Sequence, residues 1–451
     1  MFLPLPPLFD NGLNYKTASE KQTSTMSKKT LAELANTQSP CDDYDPNSMA
    51  VDQARSTIKA FLNPVKAIET IEIRASLGRI LAEDIISPFN VPGHNNSAMD
   101  GYGFNSADVE QSGSTTLKIT GTAFAGNPLT GSVQKGACIR IMTGAAVPDG
   151  IDTVIPQERV SADAEGITFT DSIKPGMNVR LAGEDLSTGQ IVLKQGHLMR
   201  AADLGLVASL GIPDIKVYRK LRVSFFSTGD ELTSLGQTLE AGQIYDSNRY
   251  TLFGMLTRLG VEAQDLGAIP DNPELLEKTL ETAAQNSDVV LTSGGVSVGE
   301  ADYMKQLLQK LGQVLFWKIA MKPGRPLAFG KIGDAHYFGL PGNPVAVMVT
   351  FYQFVREALL ILMGQDAPAP QPLMNAVCIS PIRKAKGRTE FQRGILFLAE
   401  DGEWKVKTTG NQSSGVLSSM SAANCFIVLE EETGNIEAGA NVKVQLLDGI
   451  V

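Results

Sequence analysis

The stretch Asp288-Val-Val-Leu-Thr-Ser-Gly-Gly-Val-Ser-Val-Gly-Glu-Ala-Asp-Tyr303 constrains the fold more than any other. An apolar run, Val289 to Leu291, stops at Thr292-Ser293-Gly294-Gly295, and apolar residues at helical spacing follow (Tyr303, Met304, Leu307, Leu308, Leu311). A strand, a glycine turn and a helix in that order leave backbone N–H groups free at the helix start, where an anion can sit. Gly294 and Gly295 carry no Cβ, so an anion or a ring can approach the main chain there. Asp302 adds a carboxylate near the helix start, which makes sense beside an anion if a cation such as Mg²⁺ lies between them. Taken alone the stretch reads first as an ordinary strand-to-helix turn with a capping acid, so the rest of the chain decides.

With 451 residues the chain has room for about three domains. A net charge of -10 and a pI near 5.0 argue against a nucleic-acid surface. The four cysteines and three histidines are scattered, which disfavours a thiolate or histidine-rich metal site and fits a reducing cytosol. Any metal is then a hard cation on oxygen ligands. No run reads as long and apolar enough to span a membrane. The start, Met1 to Phe9, is apolar but lacks a basic region and is broken by prolines, so it is not expected to act as a signal peptide. Residues 1–47 read as a disordered extension, with Met26-Ser-Lys-Lys as a second candidate translation start.

Along the chain the expected organisation is multi-domain, α/β and β. Residues 48–91 and 183–219 read as one discontinuous α/β linker domain. Between them, residues 92–182 show short alternating strands separated by turn signals, an inserted small β domain. It carries Asp100 before Gly101 in a loop dense in turn formers, Thr143-Gly144 at a strand end, and Glu184-Asp185 just beyond its close. Residues 220–366 alternate strands and helices, the pattern of a doubly wound, mostly parallel sheet. Five turns there, at Ser227, Pro270, Ser293, Lys322 and Pro341, each follow a strand. In a parallel sheet those ends share one edge, which gathers the acids Glu231, Asp271 and Asp302 with the bases Lys318, Lys322 and Arg325. Residues 373–451 read as a C-terminal β-barrel with a basic first loop, Arg393 before Gly394, and a polar loop Gln412 to Gly415.

Taken together, Asn96-Ser-Ala-Met-Asp-Gly-Tyr102, Ile141-Met-Thr-Gly-Ala145, Gly183-Glu-Asp185, Ser227-Thr-Gly-Asp-Glu-Leu232, Thr292-Ser-Gly-Gly-Val-Ser-Val-Gly-Glu-Ala-Asp302, Met321-Lys-Pro-Gly324 and Leu340-Pro-Gly-Asn-Pro344 resemble the molybdopterin molybdenumtransferase family, bacterial MoeA and the E domains of gephyrin-like proteins. The resemblance covers roughly residues 48–450 and keeps the motif order. It implies an elongated homodimer of four-domain subunits in the cytoplasm. It also implies the last step of molybdenum cofactor synthesis, in which molybdate enters adenylylated molybdopterin and AMP is released with Mg²⁺. By the same resemblance Glu231, Asp271 and Asp302 handle metal and phosphate, while Asp100, Thr143 and Asp185 come from the partner subunit. Ser293, Gly294, Gly295, Lys318, Lys322 and the loop Pro341, Gly342, Asn343, Pro344 form the substrate pocket, and Arg393 and Ser414 add a polar spot from the last domain. Other molybdenum-cofactor proteins are implied as partners, whose identity, like a preference for tungstate over molybdate, the sequence leaves open.

The residues fit that chemistry independently. A phosphoanhydride is inert until its charge is neutralised, which lysines and a carboxylate-held Mg²⁺ do. Molybdate is a tetrahedral dianion suited to backbone N–H groups with lysine or arginine. No serine–histidine or cysteine–histidine arrangement offers a nucleophile. Two other functions remain open at this stage: an adenylyltransferase making the AMP adduct from ATP, and a non-catalytic cofactor-binding scaffold.

Overall fold

The computed structural model describes residues 48–109, 113–164, 166–296, 301–366, 368 and 371–447, with the backbone alone for 301–303. The extension 1–47 lies outside the described residues, as does the Asp302 side chain.

The chain is built on a six-stranded sheet: β1 (Arg222–Thr228), β2 (Glu262–Ile269), β3 (Val289–Ser293), β4 (Gly312–Lys318), β5 (Pro326–Ile332) and β6 (Ala335–Leu340), in spatial order β2-β1-β3-β6-β5-β4. β2, β1, β3 and β6 are parallel neighbours; β5 runs antiparallel to both β6 and β4. The carboxyl ends of five strands and the start of β5 therefore share one edge. Strand residues alternate between two cores, which explains the continuous apolar runs. Val223, Phe225, Val289 and Leu291 pack with Leu252, Leu256 and Val347 on one face, and Phe226 and Val290 pack with Leu276, Leu280 and Met304 on the other. β5 is a strand that the pattern of turns and helices in this region does not mark. It is buried along most of its length and shows no alternation to announce it.

The helical stretch Pro344–Leu362, π-wound at Phe351–Val355, departs from the membrane expectation. By length and composition alone it qualifies as a span, with a mean hydropathy of 1.7 over its most apolar window, yet 72% of that window is buried within the protein. It is the central core helix, apolar because β6, the helix Val51–Ala60 and the C-terminal barrel surround it. Residues 49–62 thus belong to this core: Met49 pairs with Ile319, Arg55 Nε donates to the Gln353 carbonyl (3.1 Å) and Lys59 meets Glu357 (2.6 Å). From Ile68 on, the chain pairs with the later segment instead, Ile68–Glu72 against Asp214–Tyr218 and Ile85–Ile86 against Ile191–Leu193. Leu81, Ile85, Leu193, Val207 and Val217 form their own small core.

Between these pairs a second six-stranded sheet spans residues 101–169, from Thr153–Pro156 at one edge to Ser161–Ala162 at the other. Gly101 is required where strands close up, because a Cβ there would lie 2.0 Å from the Ile155 carbonyl oxygen. At the C-terminus Thr389–Leu398, Trp404–Thr408, Leu373–Cys378, Ala440–Leu446 and Cys425–Leu429 pair in that order, and the last returns to the first, closing a five-stranded barrel. The short strand Met321–Lys322 runs parallel to Thr389–Glu390 and ties the barrel to the sheet edge.

Candidate functional site

The shared strand edge opens into a cavity of about 790 Å³. Most of the loops that enter it flank strands at this edge, so the sheet fixes their relative positions. β1 ends at Thr228, and Glu231 follows; β2 ends at Ile269, and Asp271 follows; β3 ends at Ser293-Gly294-Gly295. Lys318, at the end of β4, joins Lys322 and Arg325 on the connection to β5, and β6 delivers Pro341, Gly342, Asn343 and Pro344. From the barrel, Gln412, Ser413 and Ser414 complete the wall, and Val345 N–H at the start of the core helix donates to the Ser414 carbonyl (3.1 Å).

Hydrogen bonds hold these loops to one another. Thr228 Oγ1 donates to Asp271 Oδ1 (2.5 Å), and Asp271 N–H donates to Asp230 Oδ1 (3.0 Å). Ser293 Oγ donates to the Pro341 carbonyl (3.3 Å). Asp246, 2% exposed, accepts from Ser227 Oγ (3.0 Å) and from the backbone N–H and Nε of Arg249, which ties the first turn of the helix Asn248–Leu259 to the end of β1. The glycine pair serves packing more directly than ligand approach. Gly294 has φ +95°, and a Cβ on it would lie 2.4 Å from the Thr228 carbonyl oxygen. The turn therefore lets β1 and β3 end against each other.

Not every expected site residue reaches the cavity. Asp100 immediately precedes the strand Gly101–Phe104 of the inserted sheet, where its Oδ1 accepts from Thr143 N–H and Oγ1, both at 2.7 Å; these bonds hold its carboxyl below the usual range. Asp185 sits on an exposed turn whose N–H donates to the Val91 carbonyl (3.0 Å). None of the three lines the cavity of its own chain. Arg393 departs from expectation more sharply. It is 1% exposed, outside the lining, and its guanidinium donates to Ser419 Oγ (3.0 Å) and to the carbonyls of Asn411 (3.3 Å) and Ser413 (2.9 Å). Burial pushes it down to about 10. Arg393 braces the 411–414 loop from behind, and it is Ser413 and Ser414 that face the cavity. Among the described residues no three or more metal-binding side chains converge.

Three family models match consecutive parts of the chain: the MoeA N-terminal region (domain I and II) over residues 49–211, a probable molybdopterin binding domain over 224–360, and the MoeA C-terminal region (domain IV) over 375–447. The chain is 47% identical to a molybdopterin molybdenumtransferase of Haemophilus influenzae over 88% of its own length and 98% of the relative's. It belongs to the MoeA family of molybdopterin molybdenumtransferases. It is accordingly an enzyme of molybdenum cofactor biosynthesis. The family extends to gephyrin of Dictyostelium discoideum, 34% identical over 85% of this chain and 60% of that protein. Among solved structures, a molybdopterin biosynthesis MoeA protein of Pyrococcus horikoshii superimposes with a TM-score of 0.77 at 28% identity, covering 89% of this chain and all of that one. The pocket also takes in Asp246 and Asn248, which were not among the expected site residues, and Ser227 and Gln412, which the sequence marked only as a turn and a polar loop. Asp246-Ser-Asn248 did carry a signal, a capping cluster behind a short strand at the same edge, but a cap is what that pattern usually means.

Proposed function

We propose that this cavity binds adenylylated molybdopterin, that molybdate enters the dithiolene there, and that the phosphoanhydride is cleaved with release of AMP. The observation that carries this is the meeting of Glu231 and Asp271 with Lys318, Lys322 and Arg325 in one cavity within the usual ligand-binding size. The lysines and arginine neutralise phosphate and molybdate oxygens, and Ser413 and Ser414 offer hydroxyl donors to a tetrahedral oxyanion. The carboxylates Glu231 and Asp271 beside these cationic groups suit a cation that keeps several waters and takes its remaining oxygens from phosphate, which is Mg²⁺. Glu231 and Asp271 would hold it, with Asp302 the third acid of the family motif. When bound, it supplies charge neutralisation at the phosphoanhydride.

The functional unit in this reading is a homodimer. Phe89, Met99 and Leu181, near Asp100 and Asp185 in sequence, are 45%, 43% and 60% exposed, which suits burial against a second subunit. The free thiols Cys138, Cys378 and Cys425 suit a reducing cytoplasm. An adenylyltransferase is not favoured, since the family match runs through the inserted region and the barrel as well as the α/β domain. The test is AMP release by purified protein given adenylylated molybdopterin and Mg²⁺. Release that depends on molybdate is expected; release indifferent to molybdate, or none with bound substrate, overturns the reading.

A further inference from the structure

Asn248 begins the helix that follows the β1 connection and lines the cavity beside Leu232, Ile244 and Tyr245. Its amide orientation is fixed by its partners. Nδ2 donates to Ser293 Oγ (2.9 Å) and to the Gly342 carbonyl (2.6 Å), and a carbonyl can only accept. Oδ1 is left buried without a hydrogen-bond partner. An unmet buried acceptor destabilises the state that contains it unless a ligand supplies the donor, so such atoms in a binding cavity point to recognition. Asn248 as a residue is only half-buried and borders the ligand space.

The cavity has two chemical ends. Its cations Lys318, Lys322 and Arg325 come from the β4–β5 connection, whereas Asn248, Leu232, Ile244 and Tyr245 follow β1. The Asn248 amide itself reaches Ser293 and Gly342, at the ends of β3 and β6, and sheet order puts those strands three and two places from β4, roughly 10–14 Å along the edge at about 4.8 Å per strand. A neutral acceptor with apolar neighbours suits a flat heterocycle; three cations suit phosphate and molybdate.

We propose that Asn248 is a specificity-determining residue whose Oδ1 accepts an N–H from an amino-substituted heterocycle of the substrate, lying against Leu232, Ile244 and Tyr245. This rests on the transferase reading above. Adenylylated molybdopterin carries two such rings, the pterin and the adenine, and the same acceptor chemistry serves either. The test measures binding of molybdopterin alone and of AMP alone by calorimetry to the parent protein, Asn248→Ala and Asn248→Asp. Both substitutions remove the donor that clamps Ser293 and Gly342, but only alanine removes the acceptor. Expected is a loss of about 10- to 100-fold for one of the two ligands in Asn248→Ala, the other staying within about threefold, with Asn248→Asp within about threefold for both. Loss for molybdopterin assigns the pterin, and loss for AMP assigns the adenine. Equal loss for both ligands, no loss for either, or an aspartate as impaired as the alanine would overturn the proposal in favour of a loop clamp. A parent protein that binds neither ligand would overturn the transferase reading, and this proposal with it.

Discussion

Gly294 and Gly342 are both glycines of the cavity wall, and the structure separates their roles. Gly294 combines a left-handed φ of +95° with a Cβ position 2.4 Å from the Thr228 carbonyl, whereas a Cβ on Gly342 would meet nothing nearer than 4.0 Å, and its φ is not left-handed. Gly294→Ala is expected to destabilise the protein by about 2–4 kcal/mol through strain and forced separation of β1 and β3. Gly342→Ala should stay within about 1 kcal/mol. Urea unfolding of both variants checks this, and equal midpoints would refute the packing account. The sequence located this turn because glycines after an apolar run punctuate any chain. It could not show what the glycines approach, since the neighbouring carbonyl comes from a residue 66 positions earlier, brought there only by strand pairing.

Arg393 makes the corresponding point for an element, the 411–414 loop. Two hydrogen bonds from one buried guanidinium fix that loop, a third ties it to Ser419 of the following helix, and the Ser414 carbonyl in turn accepts from Val345 N–H at the start of the core helix. Arg393→Ala leaves two carbonyls and a hydroxyl to find other partners, so a loss of about 2–4 kcal/mol in stability is expected along with weaker molybdate dependence of AMP release. The two effects should appear together. Weakened molybdate use at unchanged stability would instead mean that the arginine touches the anion itself. Here the sequence was legible only in part. An arginine beside a glycine in a basic loop reads as an anion contact, and nothing local reveals that Arg393 points inward, because its burial depends on the helix Leu417–Ala422 carrying Ser419. That helix, six residues long, and the unalternating strand β5 escaped for the same reason: each is defined by what packs on it rather than by its own period.

At the scale of the whole molecule, two buried groups outside the cavity lining contribute to its response to acid. His336 is 6% exposed; burial, helped by Lys331, holds its imidazole down to about 4. Its folded value lies below the unfolded value of about 6.5, so the unfolded chain takes up more protons between pH ~6.5 and ~4, and about 3 kcal/mol of stability is lost across that window as pH falls. Asp203 continues the decline. Burial alone would raise it, but hydrogen bonds from the Arg200 side chain, His197 and the Arg200 N–H outweigh burial and lower it to about 2. Its stabilisation, present above pH ~4 and on the order of 2 kcal/mol, disappears between ~4 and ~2. His336→Gln should flatten the first stage and leave the second, as followed by chemical denaturation at stepped pH; a parent profile flat from 6.5 to 4 would count against the buried neutral imidazole.

The order of the motifs, which carried the family resemblance, was legible because each motif sits at a strand end or turn. How the inserted region meets the cavity was not, since Asp100, Thr143 and Asp185 lie outside the lining of their own chain. If a second subunit brings them to it, each site takes Glu231 from one chain and Asp100 from the other. Asp100→Ala and Glu231→Gln homodimers should then each be inactive, because every site in them is damaged. Mixed, dissociated and reassociated in equal amounts, half of the dimers are hybrids, and each hybrid has one site with both defects and one with none. AMP release should return to about a quarter of the parent rate by that symmetry. A site built within one subunit predicts no recovery at any mixing ratio, because no chain in the mixture carries both acids. The recovered fraction therefore measures directly whether the carboxylate held by Thr143 serves the cavity of its own chain or that of its partner.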